Sequence, residues 1–155
     1  SLSISLLIIT MNVIRLVNDK YENEGPFIDV PIDIDRMTTD RYIDIYTWGI
    51  KKQESMACDV VFDFSRLVSK ISKDVNIKNH SGLESIISDR MKGHPRYNIM
   101  INTMIDYIET NDPKVVGVVC NYGKHRSVSF GEILKNDYYP HSKITHLSLG
   151  KKFII

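Results

Sequence analysis

A continuous apolar run, "KVVGVVC" at residues 114–120, limits the possible folds more than any other feature of the chain. Such runs are typical of strands that are buried on both faces, as in parallel sheets covered by helices. The segment "RSVSFGEILKN" at 126–136 predicts a helix whose inner face carries Val128, Ile133 and Leu134. A buried strand that leads almost directly into a helix indicates an α/β fold.

The same alternation of strands and helices runs along the rest of the chain. Apolar or alternating segments predict four more strands, at 12–17, 42–49, 58–64 and 142–150. One helix is predicted to follow a capping box formed by Ser81 and Glu84. A second helix, over 97–111, places six residues at helical spacing: Ile99, Met100, Thr103, Met104, Tyr107 and Ile108. We therefore expect a small, mostly parallel sheet flanked by helices, with a long loop at 65–82.

A length of 155 residues and a hydrophobic content of 43% suffice for one domain with a sizeable core. We place this domain at 42–155 and interpret 1–41 as an N-terminal extension of strands, hairpin and loop. The extension begins with the uncharged "SLSISLLIIT", which is too short to span a bilayer and lacks the basic region of a signal peptide. We therefore expect no membrane association.

The charge and the cysteines narrow the classes of partner and compartment. A formal net charge of +1 excludes a chain-wide electrostatic attraction to nucleic acid, so any basic site must be local. The two cysteines, Cys58 and Cys120, lie far apart and do not have the spacing of metal ligands. We expect no metal site and no cofactor, and a reducing, cytoplasmic compartment.

The segment "NYGKHRS" at 121–127 places three potential cations, Lys124, His125 and Arg126, at the predicted start of a helix. Cations are disfavoured there because the helix dipole puts partial positive charge at its N-terminus, so we expect a negative ligand. Gly123 lets the backbone approach that ligand, and Arg126 can hold a phosphate or carboxylate through two hydrogen bonds. The segment thus predicts a site for phosphate or another anion, beyond the carboxyl end of a strand.

The same segment allows a second interpretation. Cys120, Gly123, Arg126 and Ser127 fit the Cys-x-x-Gly-x-x-Arg-Ser loop of protein tyrosine phosphatases. A cysteine at a helix N-terminus beside an arginine can act as a nucleophile. Val119 stands where those enzymes carry a histidine. A cysteine-dependent phosphatase that uses Cys120 and Arg126 is therefore an alternative function.

Four segments, in order, resemble the C-terminal domain of the RapZ family of bacterial RNase adapter proteins. "GVVCNYGKHRSVSFGEIL" is similar to that family's Gly-Cys-Thr-Gly-Gly-x-His-Arg-Ser-Val segment. "YTWGIKKQESMACDVVFDFSRL" resembles its first strand, loop and Val-Phe-Asp segment, and "NHSGLES" resembles a Thr-Gly-Leu stretch. "THLSLGKK" resembles its closing strand, so the resemblance covers roughly residues 42–152.

The resemblance implies an α/β domain that binds a phosphorylated metabolite or other anion, is not catalytic, and acts as an RNA-binding adapter or regulator. The implied ligand-binding residues are Asp63, Cys120, Asn121, Tyr122, Gly123, Lys124, His125, Arg126 and Ser127. We expect Asp63 to pair with Arg126 before the ligand binds. Lys151 and Lys152 match part of the family's basic RNA-binding tail, and Lys143 is a further candidate for RNA contact. Asn121 and Tyr122 replace Thr and Gly, which predicts a narrower or more aromatic pocket.

The apolar extension favours a third class of function, a structural or assembly protein that has kept the fold and lost the ligand. An unpaired strand at residues 1–10 would invite a partner chain, either another protein or a second copy.

Overall fold

The computed structural model describes residues 12–16, 40–67 and 80–150. The strands are β1 (Asn12–Arg15), β2 (Asp44–Gly49), β3 (Val60–Asp63), β4 (Val115–Cys120) and β5 (Lys143–His146). The helices are α1 (Ser85–Lys92), α2 (Tyr97–Asn111) and α3 (Arg126–Ile133), and α3 continues into a π-helical turn (Leu134–Tyr138).

The five strands form one sheet in the order β1-β3-β4-β2-β5, and every pair in it is parallel. This confirms the predicted α/β class and the parallel sheet. The apolar run that opened the sequence analysis is β4, the central strand, which pairs with β3 on one side and β2 on the other. Its continuous apolar composition follows from that position, because both of its faces are covered.

All three helices contribute to one core on the same face of the sheet. Phe62 of β3 and Val118 of β4 belong to this core with Ile87 of α1, Met104 of α2 and Phe130 of α3. We call this side the helical face. On it, Phe64, just beyond β3, stacks on Phe130 with the ring centroids 4.0 Å apart. The stacking fixes the start of α3 against the carboxyl end of the sheet.

The opposite face carries a smaller cluster, in which Trp48, Val61 and Val119 are buried. Met56 and Cys58, from the connection between β2 and β3, pack against this cluster. We call this side the loop face. The chain therefore leaves β2 toward the loop face and leaves β4 toward the helical face, although β2 and β4 are neighbours in the sheet.

The structure contains the predicted helices and strands, but several of them begin or end at other residues than predicted. The last strand stops at His146, and α1 starts at Ser85 because Ser81 and Glu84 form a hydrogen-bonded turn before it. Of the extension, the structure describes residues 12–16, where β1 pairs with β3 within the same sheet, and residues 40–41, just before β2. The rest of 1–41 lies outside the described residues, as do 68–79 of the predicted loop. Within the described part of the chain, none of the helices has the length and apolarity needed to cross a bilayer.

Candidate functional site

The turn after β4 is held by a glycine that no other residue can replace without strain. Gly123 has a φ angle of 68°, and a Cβ atom there would lie 2.5 Å from the backbone nitrogen of Gly49. This close approach packs the turn directly onto the end of β2. The N–H of Gly123 donates to the Sγ atom of Cys120 at 3.3 Å, so the turn folds back over its own strand.

Cys120 lies in the core rather than at the surface. Only 2% of it is exposed, and its Sγ atom lies 3.2 Å from the Oγ atom of the fully buried Ser127. The sulfur thereby joins the end of β4 to the first turn of α3. A nucleophile must reach its substrate, and this sulfur is covered by its own loop. The arrangement favours a structural role for Cys120.

Arg126 binds the main chain that follows β3. Its Nη1 atom donates to three carbonyl oxygens, with distances of 2.9 Å to Phe64, 3.2 Å to Ser65 and 2.8 Å to Leu67. This clamp holds the positively charged guanidinium group beside the start of α3 and fixes the turn after β3 to that helix.

The expected pairing of Asp63 with Arg126 is wrong. One carboxylate oxygen of Asp63 accepts the N–H of Ser65 at 2.8 Å, and the other lies 3.8 Å from Nε of Arg15. The reason is the alternation of side chains along a strand. Phe62 belongs to the helical core, so Asp63 points to the loop face, whereas α3 begins on the helical face.

The other two cations of the segment meet groups of the chain itself. The Nε2 atom of His125 lies 2.7 Å from the carbonyl oxygen of His80. The N–H of Ser81, then the imidazole of His80 and more weakly the charge of Lys124, lower the pKa of Glu84. Part of the negative charge expected near these cations is therefore Glu84.

His80 and His94 are partly exposed loop residues with defined hydrogen-bond partners. Besides its carbonyl contact, His80 places Nδ1 3.0 Å from Glu84, and His94 accepts the N–H of Arg96 at 3.1 Å. Both histidines therefore shape the turns that precede α1 and α2.

The first turn of α3 points its N–H groups toward the segment. The first helical hydrogen bond runs from the N–H of Ser129 to the carbonyl of His125, at 2.9 Å. The N–H groups of Arg126, Ser127 and Val128 precede this bond and have no acceptor within the helix. Together with the helix dipole, such groups form an anion-binding position.

Lys51 also lies next to the candidate loop and was not predicted from the sequence. Its N–H donates to the carbonyl of Asn121 at 2.9 Å, which extends the pairing of β2 and β4 beyond their ends. Its Nζ atom lies 5.4 Å from the ring centroid of the exposed Tyr122. Lys51 thus adds a positive charge next to the candidate loop. Its only signal in the sequence was its position two residues after the end of β2.

A cavity of about 560 Å³ lies on the loop face and was also not predicted. Its apolar wall includes Trp48, Val61 and Val119, and Asp63 and Lys51 also line it. Of these residues, only Asp63 was predicted from the sequence as a ligand contact.

Of the candidate RNA-binding lysines, the structure describes Lys143, and it does not lie at this site. Lys143 is exposed at the first position of β5, where it pairs with Asp44, so it lies at the amino edge of the sheet. The candidate loop follows the carboxyl edge, roughly 16 Å away along the strands at about 3.3 Å per residue. Lys151 and Lys152 lie outside the described residues. In the described ranges, no cluster of three or more His, Cys, Asp or Glu side chains could hold a metal ion.

No protein-family model matches the chain. A curated protein of Finegoldia magna that is named "Nucleotide-binding protein" is 30% identical to it over 101 residues. The matched region makes up 59% of this chain and 35% of that protein, so the chain spans about a third of the length of this relative. The similarity is therefore to one part of a protein named for nucleotide binding.

Proposed function

We propose that this chain binds a small phosphorylated molecule, without catalysis, at residues 121–127. The observation that carries the proposal is the place of this segment in the sheet. It follows β4 at the point where the neighbouring strands β4 and β2 send their connections to opposite faces. In open α/β sheets such a switch point, at the carboxyl ends of the strands, is where ligands bind.

The chemistry of the segment suits an anion. The first-turn N–H groups of α3 point to it, and Arg126 is held rigidly beside it by three carbonyl oxygens. A fixed positive charge needs no reordering when a ligand arrives, which reduces the entropic cost of binding. Lys51 and Lys124 add positive charge on the solvent side. Phosphate is the anion that best uses several donors at once.

The partial relative supports the same class of ligand. That protein is named for binding nucleotides, and the RapZ resemblance implies a phosphorylated metabolite or other anion. A phosphate group is common to both. We propose a small molecule rather than RNA as the ligand. The described Lys143 lies at the opposite edge of the sheet and therefore gives an RNA backbone no continuous path to the segment.

The burial of the Cys120 sulfur supports a binding function without catalysis. A cysteine-dependent phosphatase needs its thiolate and its arginine to face the phosphate together. Here Cys120 is covered by Gly123 and Ser127, so its sulfur does not face a phosphate held at the start of α3.

Isothermal titration calorimetry at constant ionic strength tests the proposal, with inorganic phosphate and ribose 5-phosphate as probes. We expect saturable binding, weakened about tenfold by Lys124→Ala, the scale of one hydrogen bond to a charged group. Lys114→Ala is the matched control, because Lys114 precedes the same strand at the opposite edge of the sheet. Absence of binding to the wild-type protein, or equal losses in the two variants, would contradict the proposal.

A further inference from the structure

The cavity on the loop face has the size and lining of a site for an organic ring. Its volume, about 560 Å³, lies within the usual range for small-molecule sites, roughly 300–1,000 Å³. The wall combines an aromatic residue, Trp48, with the β-branched residues Val13, Val61 and Val119. In the sheet, Val13 pairs with Val61, and Val119 pairs with both Asp63 and Trp48. The cavity floor is thus a continuous part of four strands, and strands hold side chains in fixed positions.

Three charged residues line the cavity, Lys51, Asp63 and the exposed Glu54, and the first two give it a polarity along its floor. Asp63 is 8% exposed and contributes a carboxylate among the apolar side chains. Lys51 lines the same cavity and also reaches the ring of Tyr122 in the candidate anion segment. A ligand between them would meet an acceptor of hydrogen bonds at one point and a cation at another. A molecule with N–H donors on a ring and a phosphate on its other end has that polarity.

We propose that this cavity holds the base of a nucleoside monophosphate whose phosphate binds at residues 121–127. This inference rests on the proposed function and names its ligand. Trp48 and the valines pack against the ring, and Asp63 accepts hydrogen bonds from its N–H groups. Guanine suits the carboxylate because it carries two adjacent donors, and each Asp63 oxygen keeps an acceptor position beyond its contact with Ser65 or Arg15. Lys51 and Tyr122 lie where the sugar passes from the loop face to the anion segment.

A sugar phosphate would contact less of the apolar cavity wall than a nucleotide. It has no ring system that buries against Trp48 and the valines, so the apolar wall would stay in contact with water. The affinity difference between a nucleotide and the matching sugar phosphate therefore measures the role of the cavity, independently of the phosphate site.

Calorimetry on the full chain with GMP, ribose 5-phosphate and guanosine provides the test. We expect GMP to bind at least about tenfold more tightly than ribose 5-phosphate, through the apolar area that the base buries. Val13→Trp should remove most of that difference by filling the cavity. Val13 is 46% exposed on an edge strand, so the larger side chain does not disturb the core.

Two further variants complete the test. Tyr42→Trp, at an exposed position near the amino edge of the sheet, should leave the affinity for both ligands unchanged. Asp63→Asn, which keeps the shape of the side chain, should weaken GMP binding more than ribose 5-phosphate binding. Equal affinities of the wild-type protein for GMP and ribose 5-phosphate would overturn this inference and leave the phosphate site standing. Absence of binding by both would overturn the proposed function as well.

Discussion

The Nη1 atom of Arg126 lies 2.8 Å from the carbonyl oxygen of Leu67, 59 residues earlier in the chain. The same atom also binds the carbonyls of Phe64 and Ser65. One charged side chain therefore joins the start of α3 to the turn that follows β3, and it does so at the edge of the sheet where we place the ligand. We therefore expect stability and ligand binding to be coupled at this residue.

Arg126→Ala should lower the free energy of unfolding by roughly 2–3 kcal/mol, because a hydrogen bond to a charged group contributes about 1.5–3 kcal/mol and buried carbonyls lose their donor. Arg126→Lys should recover part of this loss, since an ammonium group keeps the charge without the planar fork. Urea denaturation of the wild-type protein and of the two variants measures these differences in the free energy of unfolding. An Arg126→Ala protein as stable as the wild type would show that the clamp does not form.

Gly123→Ala should destabilise the protein more than Gly150→Ala. Both glycines have positive φ angles, 68° and 79°, so alanine is strained at either position, by about 1 kcal/mol. Only at Gly123 does the new Cβ atom also collide with the main chain of Gly49, whereas nothing lies within 4 Å at Gly150. Thermal unfolding of both variants separates strain from collision. Equal losses would mean that the turn does not pack on β2.

The purified protein should not hydrolyse p-nitrophenyl phosphate at mildly acid pH, because the sulfur of Cys120 is covered by its own loop. Cys120→Ser should have no effect on this assay and should only lower stability. Turnover by the wild-type protein that disappears in Cys120→Ser would contradict this prediction and establish the phosphatase alternative.

Cys58 should react slowly with iodoacetamide at pH 9. Burial, and to a smaller extent the charge of Asp59, raises the pKa of its thiol from 9.0 to about 11. Because the folded-state pKa lies above the unfolded one, the stability that the protonated thiol contributes is complete below pH 9 and is lost as the pH rises toward 11. Mass spectrometry of the Cys58 peptide across this range should give a midpoint near 11. A midpoint near 9 would contradict the burial of this thiol on the loop face.

The helices, the strands and the central position of β4 could be predicted from the sequence. The contacts that depend on how these elements are placed in space could not. The apolar run of β4 identified a buried parallel strand, and Val128, Ile133 and Leu134 were correctly expected to be buried. In α2 the predicted stripe was rotated. The fully buried side includes Ile101 and Ile105, while Ile99 and Thr103 are half-buried, because the helix packs against the sheet and its neighbours at an angle that periodicity alone does not give.

The partners of the candidate residues were the least predictable part. Which face Asp63 occupies depends on the register of β3, and a shift of one residue exchanges the two faces. The clamp of Arg126 on carbonyl oxygens involves main-chain groups, which leave no trace in residue identity. The cavity and Lys51 arise from the order of the strands, since β2 and β4 become neighbours only through long connections.

The most direct test of the central claim is a titration of the ¹⁵N-labelled protein with inorganic phosphate, followed by amide chemical shifts. We expect saturable shifts concentrated at the amides of Gly123 to Val128, with small changes at the amino edge of the sheet around Asp44 and Lys143. Shifts that do not saturate, or that centre on the amino edge, would contradict an anion site at the start of α3.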